Sequence, residues 1–249
     1  MSISVSEIFT SWQGEGRLTG TPAVFVRLAG CHLRCRFCDT VYSQNVSDGR
    51  FMTVENVLEK VLLSAQKPEF PPLSPLWKTF SDRKTFPLPQ PVSRISHVVL
   101  TGGEPLLFPE VLPLVRAFQE AGLHVTIETS GTRTLTTGCD LLSVSPKMRN
   151  SGNPPALRSV SGSLAALLAD ARDYQLKFVM DSPEDGAELL DFLKEFPFLS
   201  HEKVLLMPQG TCREEIEARE AWVQRLAQQE GFQVSPRAHL FWFEAKRGV

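Results

Sequence analysis

Three cysteines carry the most specific chemistry in this chain. The segment GCHLRCRFCDT sets Cys31, Cys35 and Cys38 at C-x3-C-x2-C spacing. Three thiolates on one short loop can hold three irons of a four-iron, four-sulfur (4Fe-4S) cluster. The fourth iron then has no protein ligand unless a distant cysteine folds in. An open iron can chelate a small molecule, which turns an electron carrier into a catalyst. A structural zinc site wants four ligands in two spaced pairs, and His32 stands too close to Cys31 to complete one. A plant-type electron-transfer site uses C-x4-C-x2-C plus a remote cysteine, so the first spacing is one residue short. Cys139 and Cys212 stand alone.

Other residue types gain meaning from their proximity to these thiols. Arg27 interrupts the apolar run Val24, Phe25, Val26, Leu28, Ala29, and a buried guanidinium needs an anionic partner. That partner is either an internal carboxylate such as Glu104 or Glu128, or the carboxylate of a substrate gripped bidentately. Thr40, two residues past Cys38, reads on its own as a turn residue or cap, its hydroxyl at most a weak ligand. The run TGGEP at Thr101–Pro105 follows an apolar strand, where Gly102 and Gly103 would let backbone approach a ligand closely.

The elements that position these residues alternate between strand and helix. Strands are expected at 22–29, 95–100, 123–129, 140–145, 175–180 and 203–207. Thr53 reads as the N-cap of a helix whose apolar positions are Val54, Val57, Leu58, Val61 and Leu62. Further helices are expected at 109–121, 163–173, 183–196 and 214–230, with Pro113 unsettling the first turn of the earliest of these. This pattern predicts an α/β fold: a partial (open) TIM-like barrel of about six βα units with its site at the C-terminal strand ends. The chain reads as one domain over 1–249. An insertion at about 67–94 holds Pro68, Pro71, Pro72, Pro75, Pro87, Pro89 and Pro91.

The 26 Lys and Arg nearly balance the 28 Asp and Glu, a formal net charge of −2. That argues against a nucleic-acid footprint and a polybasic membrane anchor. No apolar run reaches membrane-spanning length. With no secretory signal pattern and an odd cysteine count, the expectation is a cytoplasmic protein.

C-x3-C-x2-C with Phe37 before the last cysteine, followed one strand later by TGGEP, resembles the radical S-adenosylmethionine (radical SAM) superfamily. SWQGEG at Ser11–Gly16, the strand with Arg27, CDT at Cys38–Thr40, ETSGT at Glu128–Thr132, SPK at Ser145–Lys147 and the ending RAHLFWFEAKRGV are similar to the 7-carboxy-7-deazaguanine synthase family. The resemblance covers most of the chain outside the proline-rich insertion and the stretch 150–173. It implies conversion of 6-carboxy-5,6,7,8-tetrahydropterin to 7-carboxy-7-deazaguanine with loss of ammonia, through a 5′-deoxyadenosyl radical that abstracts hydrogen.

The resemblance further implies a radical SAM core with a 4Fe-4S cluster on Cys31, Cys35 and Cys38, SAM, and Mg2+ on Thr40. It assigns Trp12, Gln13, Gly14, Arg27, Thr101 and His239 to the pterin. Phe37, Cys38, Asp39, Gly103, Glu104, Ser145, Pro146, Lys147 and the loop Met207, Pro208, Gln209, Gly210 go to SAM. His239, read as part of a C-terminal strand, is equally open to a structural role. An external flavodoxin-like one-electron reductant and a homodimer complete the expectation. Two other readings stay open: a glycyl-radical-activating enzyme, in which SWQGEG and Arg27 are not expected, and a non-catalytic iron–sulfur carrier or sensor, which needs Cys139 or Cys212 as fourth ligand.

Overall fold

The computed structural model describes residues 1–74 and 89–243. Its centre is a nine-stranded sheet: β1 (Ser2–Trp12), β2 (Pro22–Leu28), β3 (Arg50–Thr53), β4 (His97–Gly102), β5 (His124–Thr129), β6 (Leu141–Val144), β7 (Tyr174–Met180), β8 (Val204–Pro208) and β9 (Gln233–Val234). The spatial order is β3-β1-β2-β4-β5-β6-β7-β8-β9, so the sheet is open. From β2 to β9 every pairing is parallel, while β1 runs antiparallel to both β2 and β3. The six parallel strands expected from the sequence are present. β1 and β3, which add an antiparallel edge, escaped that reading.

The helices are α1 (Val54–Gln66), α2 (Val111–Glu120), α3 (Pro155–Arg158), α4 (Leu164–Asp170), α5 (Pro183–Glu195), α6 (Arg213–Glu230) and α7 (Ala238–Phe243). Thr53 does cap α1, its Oγ1 accepting from the Asn56 amide at 3.2 Å. Pro113 falls in the first turn of α2, where its missing N–H costs nothing. The helix expected at 163–173 is present as the shorter α4, with the single-turn α3 before it, and no helix joins β5 to β6. His239 lies in α7, not in a strand. Of the described helices, none is long and apolar enough to cross a membrane.

Each parallel strand turns one set of alternate residues toward the helices and the other toward a concave inner face. Val24, Val26, Leu28, Val98, Leu100, Val125, Ile127, Leu142, Val144, Leu176, Phe178, Met180, Val204 and Leu206 form one continuous apolar core on the helix side. The intervening positions include Arg27, Thr101, Glu128, Ser143, Gln175 and Lys177. The register sets Arg27 beside Thr101, Glu128 beside Ser143, and Ser143 beside Gln175. One polar row therefore crosses five strands.

A bulge in β1 decides one member of that site. Val5 pairs with Leu28, but the register slips by one residue before Glu7 pairs with Arg27. Without the slip Ser6 would stand opposite Arg27, because a one-residue shift turns every side chain to the other face. At the far end of the strands His97 and His124 are register partners, ring centroids 4.5 Å apart.

Burial, reinforced by the His124 ring, lowers the His97 pKa below that of a free imidazole. The unfolded chain therefore binds the proton first as pH drops below about 6.5, and stability falls with pH in that window. The melting temperature should decline between about pH 7.5 and pH 5.5. His97→Gln should shrink that decline without abolishing it, since burial lowers His32 and His239 as well. An identical pH slope in the variant would show that His97 has no such role.

Candidate active site

The concave face and the loops at the C-terminal strand ends enclose a cavity of about 440 Å³. The cysteine loop leaves β2 through Gly30 and is held at both ends by backbone. Gly30 N donates to Ser43 O and Cys31 N to Gln44 O, both at 2.9 Å. Its centre is fixed from the segment after β6: Arg36 N donates to Ser151 O at 2.9 Å, and Arg34 N to Asn153 Oδ1 at 2.8 Å. Gly102 and Gly103 have a tighter reason for lacking side chains than ligand approach. A Cβ would fall 2.2 Å from Leu28 O in the first case and 2.0 Å from Gly30 O in the second.

The three thiols suit a cluster. Asn153 Nδ2 donates to Cys35 Sγ at 3.2 Å and Leu33 N to Cys31 Sγ at 3.4 Å, the outer hydrogen bonds that orient and tune thiolate ligands. Burial pushes the free Cys31 and Cys35 thiols up, a tendency that metal coordination reverses. Neither remaining cysteine lines the cavity: Cys139 is buried in the apolar core and Cys212 is exposed before α6. His32 Nε2 is within hydrogen-bonding distance of Thr132 Oγ1, at 2.9 Å. Among the described residues the cysteine loop thus has three sulfur ligands and no fourth.

A buried ion cluster forms another part of the wall. Glu15 pairs with Lys177 Nζ and, at 3.2 Å, with Arg237 Nε. Arg237 also donates to Asp39 Oδ2 at 2.7 Å and to the Gly210 carbonyl. Burial alone would raise the Glu15 pKa, but Lys177, Arg237 and His239 together hold it well below the usual carboxylate range. Burial would lower Lys177, but Glu15 and Glu128 together more than offset it, so its pKa is raised. Glu15, Asp39 and His239 offer donors within 4.8 Å of one another, which suits a cation. Lys177 and Arg237 already occupy that role. His239 packs against Gly14, where a Cβ would come 2.4 Å from His239 Nδ1.

Of the residues predicted from sequence, Trp12, Gln13, Gly14, Arg27, Cys31, Cys35, Phe37, Cys38, Asp39, Thr40, Thr101, Gly103, Glu104, Ser145, Lys147, Met207, Gln209 and His239 line this one cavity. Pro146, Pro208 and Gly210 do not. Trp12 is a wall, stacked on Phe70 with centroids 4.3 Å apart, its indole N–H donating to Gln90 O at 3.0 Å. Gln13 Nε2 and Thr101 Oγ1 donate to the two oxygens of Glu128, at 3.1 and 2.7 Å.

Arg27 has an internal partner, but it is Glu7, at 2.6 Å, and neither Glu104 nor Glu128. Tyr42 donates to the same Glu7 oxygen at 2.9 Å. Glu104 accepts from Leu106 N, Thr129 Oγ1, Ser130 N and Ser130 Oγ. That nearly exhausts a carboxylate, so Glu104 fastens the ends of β4 and β5 together.

Sequence reasoning did not assign Glu7, Glu15, Glu128, Lys177 or Arg237. Lys177 carried the signal used for Arg27, a lone cation in the apolar strand YQLKFVM. Part of the insertion (Pro75 and Pro87 included) and the last six residues of the C-terminal motif lie outside the described residues.

No protein-family model matches the chain. Curated relatives do. The 7-carboxy-7-deazaguanine synthase of Rhodopirellula baltica is 36% identical, spanning 100% of this chain and 89% of its own. That of Halobacterium salinarum is 34% identical over 98% and 92%, and that of Pyrobaculum aerophilum 33% identical over 99% and 97%. The chain belongs to the 7-carboxy-7-deazaguanine synthase family. Among solved structures, QueE from Escherichia coli aligns with a TM-score of 0.64 at 23% identity, over 94% of this chain and 93% of that one. A TYW1 structure aligns at 0.57 and 16% identity, over 84% and 72%. Both likenesses show the fold. Family membership implies SAM and a 4Fe-4S cluster, and the three cysteines of this deazaguanine synthase family member fit that cluster.

Two outcomes are expected. Lys177→Met should destabilise the protein by about 3–5 kcal/mol, the range for one partner of a buried pair; a Lys177→Met/Glu15→Gln double variant should recover much of it in urea titrations. Single alanine variants of Cys31, Cys35 or Cys38 should lose iron after anaerobic reconstitution, whereas Cys139→Ala and Cys212→Ala should keep full iron and sulfide content.

Proposed function

We propose that this protein converts 6-carboxy-5,6,7,8-tetrahydropterin to 7-carboxy-7-deazaguanine with release of ammonia. The observation that carries the reading is one cavity in which three cysteines, with no fourth ligand among the described residues, face a row of polar side chains matched to a carboxylated heterocycle. When bound, the cluster and SAM supply a carbon-centred radical for hydrogen abstraction. The chain's own residues do the rest.

Arg27 grips the substrate carboxylate. Glu7, itself held by the Tyr42 hydroxyl, supports its guanidinium from behind, and the Phe9 ring lies 5.6 Å beneath it. Gln13, Glu128 and Thr101 are already linked by hydrogen bonds, so they present a pre-aligned donor and acceptor edge to the pterin. His239 closes that side, and Trp12 excludes water with Phe70 and Phe243. On the SAM side, Phe37, Asp39, Gly103, Ser145, Lys147, Met207 and Gln209 supply the contacts, and Lys147 Nζ donates to Ser145 Oγ at 2.9 Å.

Mg2+ at Thr40 belongs to the same reading. Among the described residues Thr40 Oγ1 has only a distant sulfur neighbour, Cys38 Sγ at 3.8 Å. Around the cavity Glu15, Asp39, Glu104 and Glu128 balance Arg27, Lys147, Lys177 and Arg237. A substrate carboxylate and three thiolates would tip that balance negative, so a divalent ion sharing the substrate carboxylate has an electrostatic reason to be there. A flavodoxin-like external reductant, a cytoplasmic location and a homodimer come with the family resemblance.

The test is anaerobic turnover of the reconstituted enzyme with reductant, Mg2+, SAM and the carboxytetrahydropterin. Deazaguanine should form without net loss of SAM. Arg27→Gln should raise KM for the pterin by about 10- to 100-fold, as expected for losing a charge-assisted hydrogen bond, with SAM affinity unchanged. SAM consumed in step with turnover and no deazaguanine formed would overturn the assignment.

A further inference from the structure

The proline-rich insertion after α1 carries none of the pterin or SAM assignments, yet both of its described limbs are tied to the cavity wall. On the outgoing limb the Glu69 carbonyl accepts from Thr10 Oγ1 near the end of β1. The Phe70 ring then stacks on Trp12, centroids 4.3 Å apart and planes 19° from parallel. Ser74 N donates to Trp242 O, in α7, at 2.7 Å. On the returning limb Gln90 O accepts the indole N–H of Trp12 at 3.0 Å. Ile95 N then donates to Ala65 O at 2.9 Å, back at the end of α1.

α7 needs such support. It has six residues, too few to persist as a helix on backbone hydrogen bonds alone. Its buried apolar side chains stand apart from the main core: with Trp12 and Ile216 they form a separate cluster, against which Phe70 and Leu73 pack. Among the described residues, Phe70 is the one half-buried apolar side chain that packs on both this cluster and the main core. The two ends of α7 are therefore fixed differently. Arg237, in the ion cluster, and the Ala238 N–H, which donates to Gly14 O at 2.9 Å, hold the first end. Ser74 and the ring series Phe70, Trp12, Phe243 hold the last. Between them His239 and Leu240 line the cavity.

We propose that Phe70 and Leu73 are positioning residues for the pterin pocket: they brace Trp12 and α7 from behind and so fix His239 at the substrate. A wall supplied by a short helix is only as rigid as what backs it. Freedom left in that wall is lost when substrate binds, so loosening the brace weakens binding. The SAM contacts lie in the cysteine loop and at the ends of β4, β6 and β8, which stand on the main core. The brace therefore acts on one ligand and spares the other. The inference rests on the reading of Trp12 and His239 as pterin-side residues.

The test uses anaerobically reconstituted holoenzyme and has two readouts. Phe70→Ala should raise KM for the pterin about five- to tenfold, the scale of losing a stacked ring. Its kcat should stay within about twofold of the parent's, with SAM affinity unchanged. Phe70→Tyr, which keeps the ring, should restore the parent KM. Leu73→Ala should shift KM in the same direction by less, and it carries the test if Phe70→Ala does not fold. The second readout is amide hydrogen exchange. The segment 237–243 should exchange faster in both alanine variants, with the cysteine loop 31–40 exchanging as in the parent.

A parental KM for the pterin in the alanine variants would overturn the proposal. So would failure of Phe70→Tyr to recover KM. Pterin and SAM affinity falling together, with faster exchange in both segments, would also overturn it, since that is general loosening. If the parent forms no deazaguanine, the substrate assignment falls and the exchange measurement decides the brace: faster exchange confined to 237–243 supports it, and parental exchange there overturns it.

Discussion

The Glu15 carboxylate, held between two buried cations, is the interaction on which the rest of the site depends. Lys177 approaches it from β7 and Arg237 from the residue before α7, and each cation is almost fully buried. Burying three charges costs several kcal/mol apiece before their attraction returns it, so net stability is a poor reason for such a cluster. Position is a better one. Arg237 reaches Glu15 in the loop after β1, Gly210 after β8, and Asp39 beside the last cysteine. One guanidinium thereby joins the loops assigned to substrate, to SAM and to the cluster. His239, next but one in sequence, gains its place against Gly14 from the same arrangement.

That cluster works only because the sheet gives it a polar face to stand on. The parallel strands turn apolar residues toward the helices, and five of them set Arg27, Thr101, Glu128, Ser143, Gln175 and Lys177 at the alternate positions of the inner face. Parallel strands covered on both sides ordinarily read as unbroken apolar runs. Here the inner side is covered by loops and ligand space, so polar residues survive there, satisfied by neighbours in register or, for Lys177, by Glu15 from the loop after β1. Gln175 donates to Ser143 at 2.8 Å, and Thr101 to Glu128 at 2.7 Å. The bulge in β1 extends this row by setting Glu7 behind Arg27. A backbone irregularity of one residue decides which acid supports that cation.

The cysteine loop, the parallel strands and the capped start of α1 were legible because their signals are local: spacing, alternation and a Thr N-cap. The β1 edge was not, since SISVSEIFTSW mixes polar and apolar residues and pairs antiparallel across the sheet edge. The segment between β5 and β6 showed no helical spacing, and with Gly131 and Gly138 in it the chain passes from one strand to the next as a loop. The ion cluster was illegible for a different reason. Glu15, Lys177 and Arg237 are separated by more than 160 and by 60 positions, and only tertiary folding makes them one object. Arg27 shows both limits at once. Its need for an anion followed from burial, but the identity of that anion depended on a register slip that no sequence pattern announces.

The same geometry argues for a small, flat, anionic substrate over a polypeptide. The fixed charges of the inner face are paired within the protein and held rigidly, so they cannot rearrange to follow an extended chain. Hydrogen-bonding groups converge on one side, at Gln13, Glu128 and Thr101. The aromatic pair Phe9 and Phe25, stacked at 5.1 Å, lies next to Arg27 on the other. A ligand that satisfies this arrangement needs a polar edge, an apolar ring face and a carboxylate in fixed relation to each other. A carboxylated pterin meets all three conditions with little conformational freedom to lose on binding. A glycyl segment of a protein backbone has neither the ring face nor the carboxylate.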